Sequence, residues 1–134
     1  MSDKKQLKKD YQMAKRPLGV FAIRNTTNNK IFVGSGLNIN GIINRHKFAL
    51  LAGGHNSKEL QKDWNELGAD KFEFEILDQM EPADDPGFDA RRELEFMEKM
   101  WLEKLLPYGD SGYNEKKLTR GERLQMIAQK NRKD

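Results

Sequence analysis

The sequence holds two histidines, His46 and His55, and no cysteine, so any metal ion must rest on oxygen or imidazole ligands. An imidazole can act as a general base or bind a metal near neutral pH. Nine residues apart and separated by a predicted helix end, the pair favours a hydrogen-bonded structural role instead. The run KIFVGSG at 30–36 reads as a strand ending on a loop of small residues, where a phosphate can approach the backbone. Eleven residues earlier stands GVFAIRN, a second strand-like run. Phe21 and Phe32 occupy equivalent places in the two runs, and taken alone they read as core, because aromatic residues on strands mostly pack. GSGLNING lacks the glycine spacing of a dinucleotide fingerprint, and no lysine follows it to make a nucleotide-phosphate loop. No Ser-His-Asp arrangement stands out.

These groups must be held by one domain, since 134 residues support a single core with tails. No apolar run is long enough for a membrane span, and the basic start lacks the apolar stretch of a leader, so a soluble, cytoplasmic protein with no membrane partner is expected. The absence of cysteine fits a reducing compartment. The net charge of +3 is unevenly spread. Lys4, Lys5, Lys8, Lys9, Lys15 and Arg16 stand against Asp3 and Asp10 in the first tail, and Lys116, Lys117, Arg120, Arg123, Lys130, Arg132 and Lys133 against Glu115, Glu122 and Asp134 in the last. Between them, Arg24, Lys30, Arg45, Lys47, Lys58 and Lys62 face only Glu59, whereas 63–114 carries fifteen acidic and five basic residues. A solvated tail is the plain account of each end. A positive first half between two positive tails favours contact with nucleic-acid phosphates, which would be salt-dependent.

The periodicities predict the elements. Leu7, Tyr11 and Ala14 suggest a short helix stopped by Pro17. GVFAIRN and KIFVG, joined by the polar turn TTNN, predict a β-hairpin. Asn38 can cap a helix to about residue 51, with Ile39, Ile42, Ile43 and Leu50 on one side, Gly41 as a weak point and AGG as its end. Ser57 starts a second helix with a Leu60, Trp64, Leu67 stripe closed by Gly68. KFEFEILD alternates, placing Phe72, Phe74 and Ile76 on one face of a third strand. The two-proline acidic run at 81–90 predicts a loop, and 91–106 a helix with a Leu94, Met97, Trp101, Leu105 seam. Thr119 and Glu122 form a capping-box signal for a last basic helix with Leu124 and Ile127. The order predicts an α+β fold: a small three-stranded antiparallel sheet covered by helices, with helical N- and C-terminal extensions. The expected division is a basic extension at 1–17, a domain at 18–114 and a basic helix at 115–134.

Over 18–114 the chain resembles the GIY-YIG nuclease family. GVF, a spacer and IFVG are similar to the paired signature on its hairpin, SGLN and NRH to the following segment, and HNSKELQKDWNELGADKFEFEIL to its second helix and third strand. MEKMWL is similar to its glutamate-bearing helix and GYN to its closing turn. The resemblance implies Mg²⁺-dependent phosphodiester cleavage in DNA, served by a tyrosine from each half of the signature, an arginine on the first helix and one metal-holding glutamate. Glu98 matches the glutamate, Asn114 the asparagine after the glycine-tyrosine pair, and His46 and His55 two polar positions. The tyrosine positions are Phe21 and Phe32, and the arginine position is Ile42. A phenyl ring cannot relay a proton and isoleucine cannot stabilise phosphate charge.

The expectation is therefore a nucleic-acid-binding, nuclease-like protein, its partner DNA, with cleavage weakened or lost. An active Mg²⁺-dependent DNA endonuclease stays open as an alternative, with Glu98 holding the metal and Arg45, His46 or His55 in substitute roles. Arg45 lies one helical turn after Ile42, within reach of the same pocket, although a surface arginine touching phosphate or solvent is its plainer account. For Glu98 the plainer account is pairing with Arg91 or Lys104. A third possibility is a protein-interaction module in which the acidic half docks on a basic partner.

Overall fold

A computed structural model describes residues 16–116 together with Leu124, Gln125, Ile127 and Ala128. The expected helix near 7–14 and the capping box of Thr119 and Glu122 lie outside the described residues. Leu124 and Ile127 are helical and exposed.

Three strands form one antiparallel sheet in the order β2-β1-β3, with β1 at Leu18–Asn25, β2 at Ile31–Gly36 and β3 at Phe72–Met80. Three helices cover it: α1 at Ile39–Ala52, α2 at Lys58–Leu67 and α3 at Ala90–Leu105. This is the α+β arrangement expected. Among the described residues, no helix is long and apolar enough to cross a membrane.

Local chemistry sets the helix ends. The Asn38 side chain accepts from the Gly41 N–H, Ser57 from Leu60 and Asp89 from Arg92, each satisfying an otherwise orphan donor. Gly41, weak by propensity, belongs to the first cap: a Cβ there would meet the Asn38 amide at 2.5 Å. Gly53, at φ 82°, closes α1 in the left-handed region that favours glycine.

The central strand is buried on both faces, so two cores form. On one side Phe21, Ile23, Ile39, Ile43, Leu50, Leu60 and Trp64 pack under α1 and α2. On the other, Leu18, Val20, Ile31 and Val33 pack against Met97 of α3, with Leu94, Trp101 and Leu105 at its margin. The expected alternation along β3 holds, since Phe72, Phe74 and Ile76 pair with Asn25, Ile23 and Phe21 on one face, although Ile76 is left 42 % exposed. The register shifts between Val20, paired with Asp78, and Phe21, paired with Ile76, so Leu77 is the extra residue, and it packs on the α3 side as Asp78 also does. A bulge adds one residue to a strand and turns the next side chain to the other face. Leu67 also leaves the predicted stripe and is exposed.

Candidate functional site

The hairpin delivers Phe21 and Phe32 to the α1 and α2 side of the sheet. Phe21 is 0 % exposed and its ring lies against Gly34 so closely that a Cβ on that glycine would stand 2.6 Å from it. Phe32 is partly buried beside it, with ring centroids 6.5 Å apart. His46 of α1 packs edge-on to Phe21 at 5.0 Å, and His55, from the α1–α2 loop, packs edge-on to Phe32 at 5.3 Å. Ile42 seats against Gly36 and the same core, as a filler of space.

The two histidines meet: Nδ1 of His46 and Nε2 of His55 are 2.7 Å apart. The Ser57 backbone N–H donates to Nδ1 of His55. A neutral His55 therefore carries its proton on Nε2 and donates to His46, whose own proton must sit on Nε2. Burial pushes the His46 pKa down to about 4, with smaller contributions from neighbouring His55 and Arg45, and burial lowers His55 as well. Both rings are neutral at neutral pH. With its Nδ1 lone pair engaged, His46 is built as a donor through Nε2 and not as a ready base. A cavity of about 220 Å³ opens here, lined by Arg45, His46, Gly54, His55 and Asn56.

Glu98 lies on the opposite side of the sheet edge. Its carboxylate accepts a hydrogen bond from the Ser35 hydroxyl of β2, so its partner is neither Arg91 nor Lys104. It faces a groove of about 580 Å³ lined also by Val33, Lys99, Leu102, Tyr108 and Asn114. The structure thus separates most of the candidates: Phe21, Phe32, Ile42, His46 and His55 gather on one side, Arg45 lines the small cavity there, Glu98 lines the groove on the other, and Asn114 lines both that groove and a cavity shared with Phe32.

Asn114 acts on the backbone. Its amide accepts from the Val33 N–H and donates to the Val33 carbonyl, both at 2.8 Å, which closes the outer edge of β2 as another strand would. Tyr113 sits just before it, taking the Asn25 amide on its hydroxyl and donating to Asp63, and burial pushes its pKa up to about 12. Ser35 was not singled out by its sequence context. A serine after a strand glycine gives no local signal, and its partner is distant in the chain.

Part of the basic first half is neutralised within the fold. Arg24 pairs with Glu75 at 2.7 Å and Lys30 with Glu59 at 2.6 Å, while Lys47 lies over the Phe74 ring. Arg45, Lys58 and Lys62 stand outside these pairs, around the α1–α2 loop.

The Mg²⁺ implied by the family resemblance can be tested against the donors present. Among the described residues no three histidine or carboxylate side chains gather at one point. Glu98 supplies one oriented carboxylate beside an open groove. That fits Mg²⁺, which keeps several waters and needs only one or two protein carboxylates.

No family model matches the chain. Among curated proteins, intron-associated endonuclease 1 of Enterobacteria phage T4 is 39 % identical over 62 residues, or 46 % of this chain, and the matched region spans a quarter of that relative's length. Among solved structures, the catalytic domain of homing endonuclease I-TevI is 30 % identical, with a TM-score of 0.59 over 75 % of this chain and 99 % of that domain. A glutamate-to-alanine mutant of the I-TevI catalytic domain superposes with a TM-score of 0.61 at 29 % identity, over 77 % of this chain and 97 % of that one. Sequence and fold agree over nearly the whole of that domain, and the chain belongs to the GIY-YIG nuclease family.

Proposed function

We propose that this protein is a nucleic-acid-binding member of the family, acting on DNA, whose phosphodiester cleavage is weakened or lost. One observation carries this reading: the α1 and α2 side of the site is packed with Phe21, Phe32 and Ile42, with Phe21 fully buried. No hydroxyl stands at either aromatic position to orient water or relay a proton, a role typically worth about 10²–10⁴ in rate. No guanidinium stands at Ile42 to take up phosphate charge, a contribution of about 10²–10³ where such donors have been removed. Arg45, Lys58 and Lys62 support binding, since among the described residues they form no ion pair and so can displace counterions from phosphates.

A second reading, an active Mg²⁺-dependent endonuclease, draws on Glu98, which keeps an oriented carboxylate at an open groove. A bound Mg²⁺ would supply Lewis-acid polarisation of a phosphoryl oxygen. The chain's own part would be to hold that ion through Glu98 and to offer Arg45 and the His46 Nε2–H as donors. Plasmid nicking in Mg²⁺ and in Mn²⁺, with Glu98→Ala as control, separates the two readings. Binding is checked by titrating a DNA duplex at rising salt: affinity should fall steeply, and affinity indifferent to salt would remove the electrostatic basis.

A further inference from the structure

The outer edge of β2 is covered in steps. The Ile31 carbonyl accepts from the Tyr113 N–H, and both backbone groups of Val33 are taken by the Asn114 amide. Backbone groups alternate in direction along an antiparallel strand. Asn25 bonds to Lys30, and the register pairs Ile23 with Phe32 and Phe21 with Gly34, so the groups of those β2 residues turn inward to β1. Ser35 follows Val33 by two, so its N–H and carbonyl point off the sheet. Among the described residues the bonds that cover this edge end at Asn114, and none is made to the Ser35 backbone. The Ser35 side chain meanwhile holds Glu98. An outward N–H, an outward carbonyl and an oriented carboxylate thus converge at Ser35, between Gly34 and Gly36, whose opposite face is filled by Phe21 and Ile42.

We propose that this open edge is a phosphodiester-binding element: the Ser35 N–H takes a phosphate oxygen, and the Ser35 hydroxyl positions Glu98 toward a divalent cation shared with that phosphate. It rests on the nuclease-like reading above and makes Ser35 a positioning residue for Glu98 and a direct contact for the nucleic acid. A bare carboxylate beside a phosphate is repulsive, so the cation is needed for both to occupy the edge. A backbone donor would serve where the guanidinium position has become Ile42, since N–H groups bind phosphate oxygens well.

Two measurements on the full chain test it. In ¹⁵N-labelled protein with Mg²⁺, a 12-base-pair DNA duplex should shift the residue 35 amide proton downfield, and the shift should be lost without Mg²⁺. Mn²⁺ affinity, read by electron paramagnetic resonance, should fall about tenfold in Ser35→Ala, the usual scale for removing a group that orients a ligand. It should recover in Ser35→Thr and vanish in Glu98→Gln. A residue 35 amide unmoved by saturating duplex, Ser35→Ala binding Mn²⁺ like the wild type, or wild-type Mn²⁺ binding that does not depend on Glu98 would each overturn the inference. If duplex binds but the residue 35 amide is silent, only this inference falls. If no duplex binds at low salt, the nucleic-acid reading falls with it.

Discussion

The two sides of the sheet share a scaffold and differ in what they do with it. Beneath α1 and α2, two phenyl rings and an isoleucine fill the space, and the two imidazoles there bond to each other and to the Ser57 backbone, leaving the His46 Nε2–H as a donor. Beside α3, a carboxylate and a hydroxyl meet at an open groove. On the proposed reading, a nuclease fold has lost one part of a site and kept another. A phenyl ring packs at least as well as a phenol, so a site on the packed side can fill with carbon at no cost to the fold. Glu98 lies outside both cores and is tied to β2 through Ser35, and on the proposed reading it is this groove side that keeps a binding role.

That contrast can be broken most sharply by stability measurements. Phe21→Ala should destabilise by about 3–5 kcal/mol, the usual cost of a cavity the size of a buried phenyl ring. Glu98→Gln should change stability by no more than about 0.5 kcal/mol. Urea unfolding of both variants checks this, and a large loss for Glu98→Gln would make that residue structural. Asn114→Ala should come next at about 1–3 kcal/mol, because it removes both partners of the Val33 backbone. Hydrogen exchange at the Val33 amide should accelerate in the same variant.

The histidine pair gives a smaller, pH-dependent effect. His46 has a folded pKa near 4 against an ordinary value of 6.5, so the unfolded chain takes up its proton first as pH falls. Its stabilising contribution is complete above pH 6.5 and is lost as pH falls toward about 4. The ring is only half-buried, so the loss should be about 1–2 kcal/mol after solvent screening. Thermal unfolding across this window should show it, with a smaller loss in His46→Gln. The smallest effect is expected for Phe32→Tyr. Its ring is partly exposed, so the added hydroxyl can reach water and the melting point should shift by the equivalent of less than about 0.5 kcal/mol. Phe21→Tyr, with no exposure, should be worse tolerated, and equal tolerance would show that space for a phenol survives there.

Much of the scaffold was legible because its signals are local. Asn38, Ser57, Gly53 and Gly68 mark helix ends by their own conformational preferences, and the hairpin follows from two β-rich runs around a polar turn. The phase change at Leu77 was not legible, because a bulge in β3 is set by its pairing with β1. The candidate site was legible as a set of residues and not as an arrangement. Family resemblance marked Glu98 and Asn114, but the bonds that define them run to Ser35 and Val33, 63 and 81 residues away. The histidine pair was closer to reach. Nine residues across a glycine-containing loop let two rings meet, although the direction of the proton chain needs the Ser57 N–H, which only the folded loop supplies.

The central claim, that carbon at Phe21, Phe32 and Ile42 leaves binding without efficient cleavage, meets its most direct test in a plasmid-nicking time course. Pure full-length protein in Mg²⁺ or Mn²⁺ should retain salt-dependent DNA binding while leaving the plasmid no more nicked than the Glu98→Ala control. Rapid nicking in either metal that Glu98→Ala abolishes would contradict it.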